Sequence, residues 1–244
     1  MTIEREFTEL SEFLQFLAKE KTDGDRLPSL AVLSQQLGVS TATLREQLEV
    51  ARALGVVDVR PKTGIRRRPY QFTPAVLKSL AYAAAIDHDY FFHAFSDLRN
   101  HIEAAYFLQA VSLLTEEDHI QLRDLCRLAQ QKLEGQPIQI PHDEHRALHL
   151  SIYCRLNNPF VTGILEAYWE AYEAIGLNRY SDISYLQNVW EHHRRMVEAI
   201  CSGDAAAGHK ILIEHTDLLQ HRPQPDSQPA ARSVPRIAFR QEFE

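Results

Sequence analysis

Between Ala75 and Gln220 nearly every window of the sequence is compatible with an amphipathic helix, and none reads convincingly as a strand. A long stretch with only the helical period can bury its apolar faces only by packing helix on helix, so it predicts an all-α antiparallel bundle. Breaks suggest themselves at Leu114-Thr115, Gly135 to Pro141, Asn157-Asn158-Pro159, Gly176 to Asp182 and Ser202-Gly203-Asp204. They divide the stretch into about six or seven helices. All 12 histidines of the chain fall after residue 87.

The first third reads differently. Leu10, Phe13, Leu14 and Leu17 give Phe7 to Lys19 one apolar helical face, broken by Asp23-Gly24-Asp25. Leu30, Leu33 and Leu37 mark a second helix with Ser29 as N-cap and Gly38 as its end. Ser40 caps a third helix, Thr41 to Leu54, in which Leu44, Leu48 and Ala51 face inward while Thr41, Thr43, Arg45 and Gln47 lie outward or on the flanks. Two short helices meeting at a glycine turn outline a helix-turn-helix. Val56 to Arg60 then alternates like a strand, and Pro61-Lys62-Thr63-Gly64 turns into a return strand, Ile65 to Arg68, which makes a wing.

The organisation expected is therefore a mainly α protein: a winged helix-turn-helix over residues 1–70, an all-helical domain over 75–221, and a proline-rich tail over 222–244, with Pro69 to Pro74 as linker. Hydrophobic residues at 45% and charged residues at 24% suit a folded chain with a core. The formal net charge of -7 excludes indiscriminate coating of nucleic acid, so any DNA contact must be local. Arg45, Arg52, Arg60, Lys62, Arg66, Arg67 and Arg68 outnumber Glu46, Glu49 and Asp58 around the third helix and wing, and that is the local basic surface. Thr41, Thr43, Arg45, Gln47, Arg52, Lys62, Thr63, Gly64 and Arg66 are the candidate DNA-contacting residues.

No apolar run is long enough to span a bilayer, and the first twelve residues are acidic, so a cytoplasmic protein without membrane contact is expected. Cys126, Cys154 and Cys201 lack CxxC spacing and read as reduced, packed thiols.

The series Leu27-Pro28-Ser29, Leu33, Leu37-Gly38-Val39-Ser40, Leu44-Arg45-Glu46, Leu48, Leu54-Gly55-Val56-Val57 and Gly64 resembles the GntR superfamily of bacterial transcription regulators over residues 7–68. The resemblance implies a homodimer that binds double-stranded operator DNA, as a repressor, and has no enzymatic activity. This chain departs from the family pattern at Leu30-Ala31, where a charged pair is usual, and at Thr41, where an arginine is usual. The family's usual operator preference therefore does not carry over.

His145 and His149 are four residues apart and share one helical face, a metal-ligand spacing. Further histidines lie at His193 and His215 in separate helical segments. From about Phe95 to Gln220 the chain resembles the FCD ligand-binding domain of the FadR-type branch, on Leu98-Arg99 with Glu103-Ala104-Ala105, Leu148-His149 before Asn158-Pro159, His193 before Glu198-Ala199-Ile200, Gly203-Asp204-Ala205, and His215. In metal-binding relatives an aspartate and three histidines hold one ion. Residue by residue the resemblance assigns the histidines to His149, His193 and His215, and the aspartate's place is taken here by His145.

Exchanging a carboxylate for an imidazole favours zinc, with nickel or another transition metal as alternatives, over manganese or magnesium. It also leaves the ion's charge uncompensated, which favours an anionic effector. Arg99 is assigned by the resemblance to the effector cavity, where a guanidinium can hold a small carboxylate, although its spacing equally permits a structural pair with Glu103. His192 competes with His193, but adjacent helical residues diverge by about 100°. His101 is placed near the cavity or on the surface, His142 in a loop, and Tyr168, Trp169, Tyr172 and Tyr180 in core or dimer packing. A metal-dependent hydrolase or oxygenase using the histidines, with Glu144 or Glu191 as base, is the rival reading, and it leaves the winged helix without a purpose.

Overall fold

The structure is a computed structural model that describes residues 9–19, 26–62, 64–176 and 182–220. Its N-terminal part consists of α1 (Glu12–Lys19), α2 (Leu30–Leu37), α3 (Thr41–Ala53), β1 (Val57–Arg60) and β2 (Gly64–Arg67). The caps fall where the side chains predict them: Ser29 Oγ accepts from Val32 N, Ser40 Oγ accepts from Thr43 N, and Gly38 ends α2 in the left-handed region at φ 69°. The strands pair antiparallel with Val59 opposite Ile65 and Arg60 opposite Gly64, and Leu27 N donates to Ile65 O to join the segment before α2 to β2. Phe13, Leu33, Leu44, Leu48, Ala51 and Val57 are among the residues of one apolar core.

Among the described residues the remainder is wholly helical: α4 (Thr73–Ile86), α5 (His88–Val111), α6 (Glu116–Glu134), α7 (His142–Tyr153), α8 (Pro159–Gly176), α9 (Ile183–Cys201) and α10 (Ala205–Gln220). Helix α5 packs on α4, α7, α8 and α10, and α9 packs on α6 and α10. Phe107, Leu122, Leu148, Ile152, Leu165 and Met196 are fully buried in the second core. Four of the expected breaks separate helices, with Thr115 forming a capping box on α6. The break at Gly176 to Asp182 is bounded by the end of α8 and by Asp182 capping α9, while residues 177–181, Tyr180 among them, lie outside the described residues, as does the expected tail.

Two boundaries need correction. Asp87, extended at φ -151°, accepts from Tyr90 N and separates α4 from α5, a break that the helical periodicity conceals because Ile86 and His88 continue it. The linker expected at Pro69 to Pro74 ends inside α4, which begins at Thr73 with Pro74 in its first turn. It is closely packed. Thr73 Oγ1 donates to Glu166 Oε2 of α8 at 2.6 Å, and Gly163 of α8 lies so near that a Cβ there would meet Phe72 Cβ at 2.7 Å. On the other side, Gly55 at φ +74° leaves room for Pro74, whose Cγ would be 2.4 Å from an added Cβ.

Gly163 therefore supplies a test of this junction. A Gly→Ala change inside a helix ordinarily stabilises by about 0.5–1 kcal/mol. Gly163→Ala is expected to destabilise instead, by about 1–3 kcal/mol, because the methyl group overpacks against Phe72. Urea denaturation of the full chain checks the sign, and a gain in stability would remove the close approach of α4 and α8.

Candidate metal centre and nucleic-acid interface

Thr43, Arg45 and Arg52 on α3 and Lys62, Gly64 and Arg66 on the wing are exposed, and Thr41 is half-buried. Thr63 lies outside the described residues. Gln47 is not on this surface. Expected outward or on the flank, it is buried, its Oε1 accepting from Phe13 N at 3.0 Å and its Nε2 donating to Glu12 Oε2 at 2.6 Å, so that it ties α3 to α1. The reason is angular: Gln47 is next to Leu48 and three residues from Leu44, on the edge of the inward stripe, and a buried amide is tolerated because both its ends are bonded. Arg52 is held by Glu49 at 2.7 Å, and Arg60 by Asp58 at 2.7 Å. Exposed pairs of this kind are weak, so a phosphate can take either arginine at little cost.

In the second core, His145 and His149 come from α7, His193 from α9 and His215 from α10. One ring nitrogen of each lies within 4.8 Å of the others, and His149 Nε2 is 3.1 Å from His193 Nε2. His149, His193 and His215 are fully buried, and His145 is partly so. His192 is on the half-buried outer side of α9 with its Nδ1 against Asn188 O, and Asp143 is exposed, as their angular positions predict. His101 is on the surface beside Asp97, and His142 is the first residue of α7 rather than a loop residue.

Arg99 and Glu103 of α5 are both buried against this cluster. Arg99 Nε lies 3.0 Å from Glu103 Oε1, its Nη1 donates to Asn100 Oδ1 at 2.9 Å, and its Nη2 is 2.9 Å from His149 Nδ1. The structural pair with Glu103 that the spacing permits is thus present. The guanidinium lies over the rings of Tyr168 at 4.9 Å and Trp169 at 5.1 Å, while Trp169 also covers His145 and His149 at centroid distances of 4.7 and 5.0 Å. Two of the aromatics expected in packing therefore wall the site. Trp190, 4.9 Å from His193, is a wall residue that sequence reasoning missed, although its place one turn before His193 was visible.

The chemistry of this donor set fits a metal ion. A buried polar atom without a partner costs about 1–3 kcal/mol. Here His145 Nε2, His193 Nδ1 and both nitrogens of His215 are buried with no hydrogen-bond partner. Burial is the chief cause holding all four imidazole pKa values down, with Arg99 adding to it at each and neighbouring rings adding at His145, His193 and His215. The rings are therefore neutral, the state in which imidazole ligates. His215, with neither nitrogen satisfied, is the strongest single sign, since packing alone gives no reason to bury it.

The depressed values also set a pH dependence. Each ring returns to about 6.5 on unfolding, so below that pH the unfolded chain binds more protons than the native one and stability falls with acidification. Burial raises the Glu103 carboxyl, which acts in the opposite sense, but it is one group against four. Metal-free protein is expected to lose about 1.4 kcal/mol per pH unit below 6.5 for each ring that stays neutral. Urea melts between about pH 7.5 and 5.5 measure this. A flat profile would refute the neutral rings.

An exposed basic helix and wing are thus joined by a packed α4 to a bundle with a buried histidine centre. The FCD domain family matches residues 94–218, and the chain belongs to that family as a transcription regulator of the GntR type. Streptococcus agalactiae GntR has the same overall fold, with a TM-score of 0.59, 18% identity, and coverage of 90% of this chain and 99% of that one. E. coli McbR/YncC aligns with a TM-score of 0.42 and 23% identity over 88% of this chain and 96% of its own. A GntR-type putative regulator from Rhodococcus sp. RHA1 aligns at 0.44 and 13% over 90% and 100%. No curated protein sequence matches the chain. Among the described residues no helix is long and apolar enough to cross a membrane.

Proposed function

We propose that this regulator is a homodimeric, cytoplasmic repressor whose grip on operator DNA is set by a small carboxylate bound beside one transition-metal ion, with zinc as the first choice. The division of labour follows the two cores: residues 1–70 contact DNA and residues 75–221 hold the metal and effector. The observation that carries the metal reading is the convergence of His145, His149, His193 and His215, with both nitrogens of His215 unsatisfied. An all-imidazole set suits zinc, nickel or copper and supplies no negative charge of its own. Glu103, beside His149, is already the counter-ion of Arg99, so an anionic effector would balance the charge of the ion. When bound, the metal would supply a Lewis-acid contact to that anion. Arg99 would provide the charged hydrogen bonds that orient it, and Trp169 would shut out water.

The rival hydrolase or oxygenase reading is not favoured. Its nominated bases lie elsewhere: Glu144 is 2.8 Å from Lys132 Nζ, and Glu191 is 2.7 Å from Arg194.

On the DNA side, Thr41, Thr43, Arg45, Arg52, Lys62, Thr63, Gly64 and Arg66 form the proposed contact surface, and a dimer would place two such surfaces on two half-sites. Arg45→Ala and Lys62→Ala should each weaken binding to the DNA flanking the protein's own coding region by about 1–3 kcal/mol while the melting temperature stays put. Fluorescence anisotropy with parallel light scattering measures affinity and subunit number together. Wild-type binding by both variants would mean that another surface contacts the DNA.

For the metal, elemental analysis of protein purified without chelator or affinity-column metal should find one transition-metal ion per chain. His149→Ala should reduce that occupancy and also lower domain stability, since binding to the folded form is linked to folding. Wild-type protein that is metal-free and cannot be reconstituted with zinc or nickel would overturn the metal reading.

A further inference from the structure

One atom beside the histidine cluster has two neighbours that make opposite demands on it. His149 Nδ1 lies 2.9 Å from Arg99 Nη2 and 3.2 Å from Glu103 Oε2. A guanidinium can only donate, and an ionised carboxylate can only accept. Arg99, whose Nε is 3.0 Å from Oε1, is the counter-ion that favours the accepting, ionised form of Glu103, because a neutral Glu103 would leave a buried guanidinium uncompensated.

A neutral imidazole carries one N–H, so His149 can satisfy only one of the two. In the first arrangement Nδ1 is bare and accepts from Arg99, and the proton is on Nε2, which can donate to His193 Nε2 at 3.1 Å. In the second, Nδ1–H donates to Glu103 and Nε2 presents a bare lone pair to the cluster. Only the second can ligate a metal through Nε2, and it turns Nδ1–H toward Arg99 Nη2, donor against donor. Arg99 Nε and Nη1 keep Glu103 and Asn100 as neighbours. Nη2 is left as a buried charged donor on a guanidinium packed against Tyr168 and Trp169.

Resting on the metal reading above, we infer that metal loading itself creates the anion site: Glu103 draws the His149 proton to Nδ1, and Arg99 Nη2, released from His149, takes a carboxylate oxygen. The proton leaves Nε2 and one is gained at Nδ1, so the exchange is neutral in protons. The order is then fixed, metal first and anion second. By reciprocity the anion tightens the metal by the factor by which the metal tightens the anion. Glu103 acts here as a positioning residue, through His149.

The test uses the full chain labelled with 15N-histidine, with His149→Gln assigning the resonance. The metal-free wild type is expected to carry the His149 proton on Nε2, and addition of zinc alone is expected to move it to Nδ1. Metal-free Arg99→Ala, which removes the donor and keeps Glu103, should show the Nδ1–H form without any metal, an outcome that a merely structural arginine would not give. Glu103→Gln should weaken zinc by about 10- to 100-fold. Acetate should bind zinc-loaded wild type, and neither metal-free wild type nor zinc-loaded Arg99→Ala. A metal-free wild type already protonated on Nδ1, or acetate binding that ignores zinc, overturns the inference. If zinc fails to bind at all, the metal reading falls and takes this one with it. If zinc binds while the His149 proton stays on Nε2, only this inference falls.

Discussion

Arg99 and Glu103 form an ion pair with no access to solvent, and the helical bundle is arranged around that fact. Removing two charges from water costs several kcal/mol each unless their partners are close and well placed. The partners come from neighbouring elements: Asn100 from the same helix, the ring of His149 from α7, and the faces of Tyr168 and Trp169 from α8. Tyr153 fixes the helix itself by donating to Glu103 O at 2.9 Å. A pair surrounded in this way links α5 to α7 and α8, and it contacts the ring of His149 in the cluster.

The polar centre is enclosed by an aromatic shell. Trp169, Trp190 and Tyr172 pack around His145, and Phe92 stacks on Tyr168 at 5.8 Å. Large rigid rings exclude water while costing little conformational entropy, and the resulting low dielectric strengthens each polar contact inside and penalises each unmet one. The unpartnered nitrogens of His215 are therefore conspicuous: the surroundings that make them costly are also those in which a coordinated ion is held most firmly.

Between this centre and the proposed DNA-contact surface there is unbroken packing. Trp169 lies on α8, α8 meets the start of α4 through Gly163 and Glu166, and Pro74 of α4 rests against Gly55 just after α3. Both glycines are places where a side chain would separate the elements, so the junction depends on absent atoms as much as on present ones.

Much of this was legible beforehand. Periodicity gave the helices, Ser29, Ser40 and Gly38 gave the limits of the helix-turn-helix, and the angular spacing along a helix separated His193 from His192 and His145 from Asp143, because these features depend on local geometry that repeats wherever the chain is helical. The break at Asp87 escaped because polar and apolar residues continued the pattern through it, and Gln47 was misplaced because the edge of an apolar stripe does not say which partner waits there. Resemblance, not spacing, singled out His149, His193 and His215 from the histidines of the chain. Only the tertiary structure decided that Arg99 contacts Glu103 and His149 together, that Tyr168 and Trp169 flank it, and that Gly163 and Gly55 seat α4. Those contacts join residues far apart in the chain, and distance along a sequence carries no information about which helices will lie side by side once each has buried its apolar face.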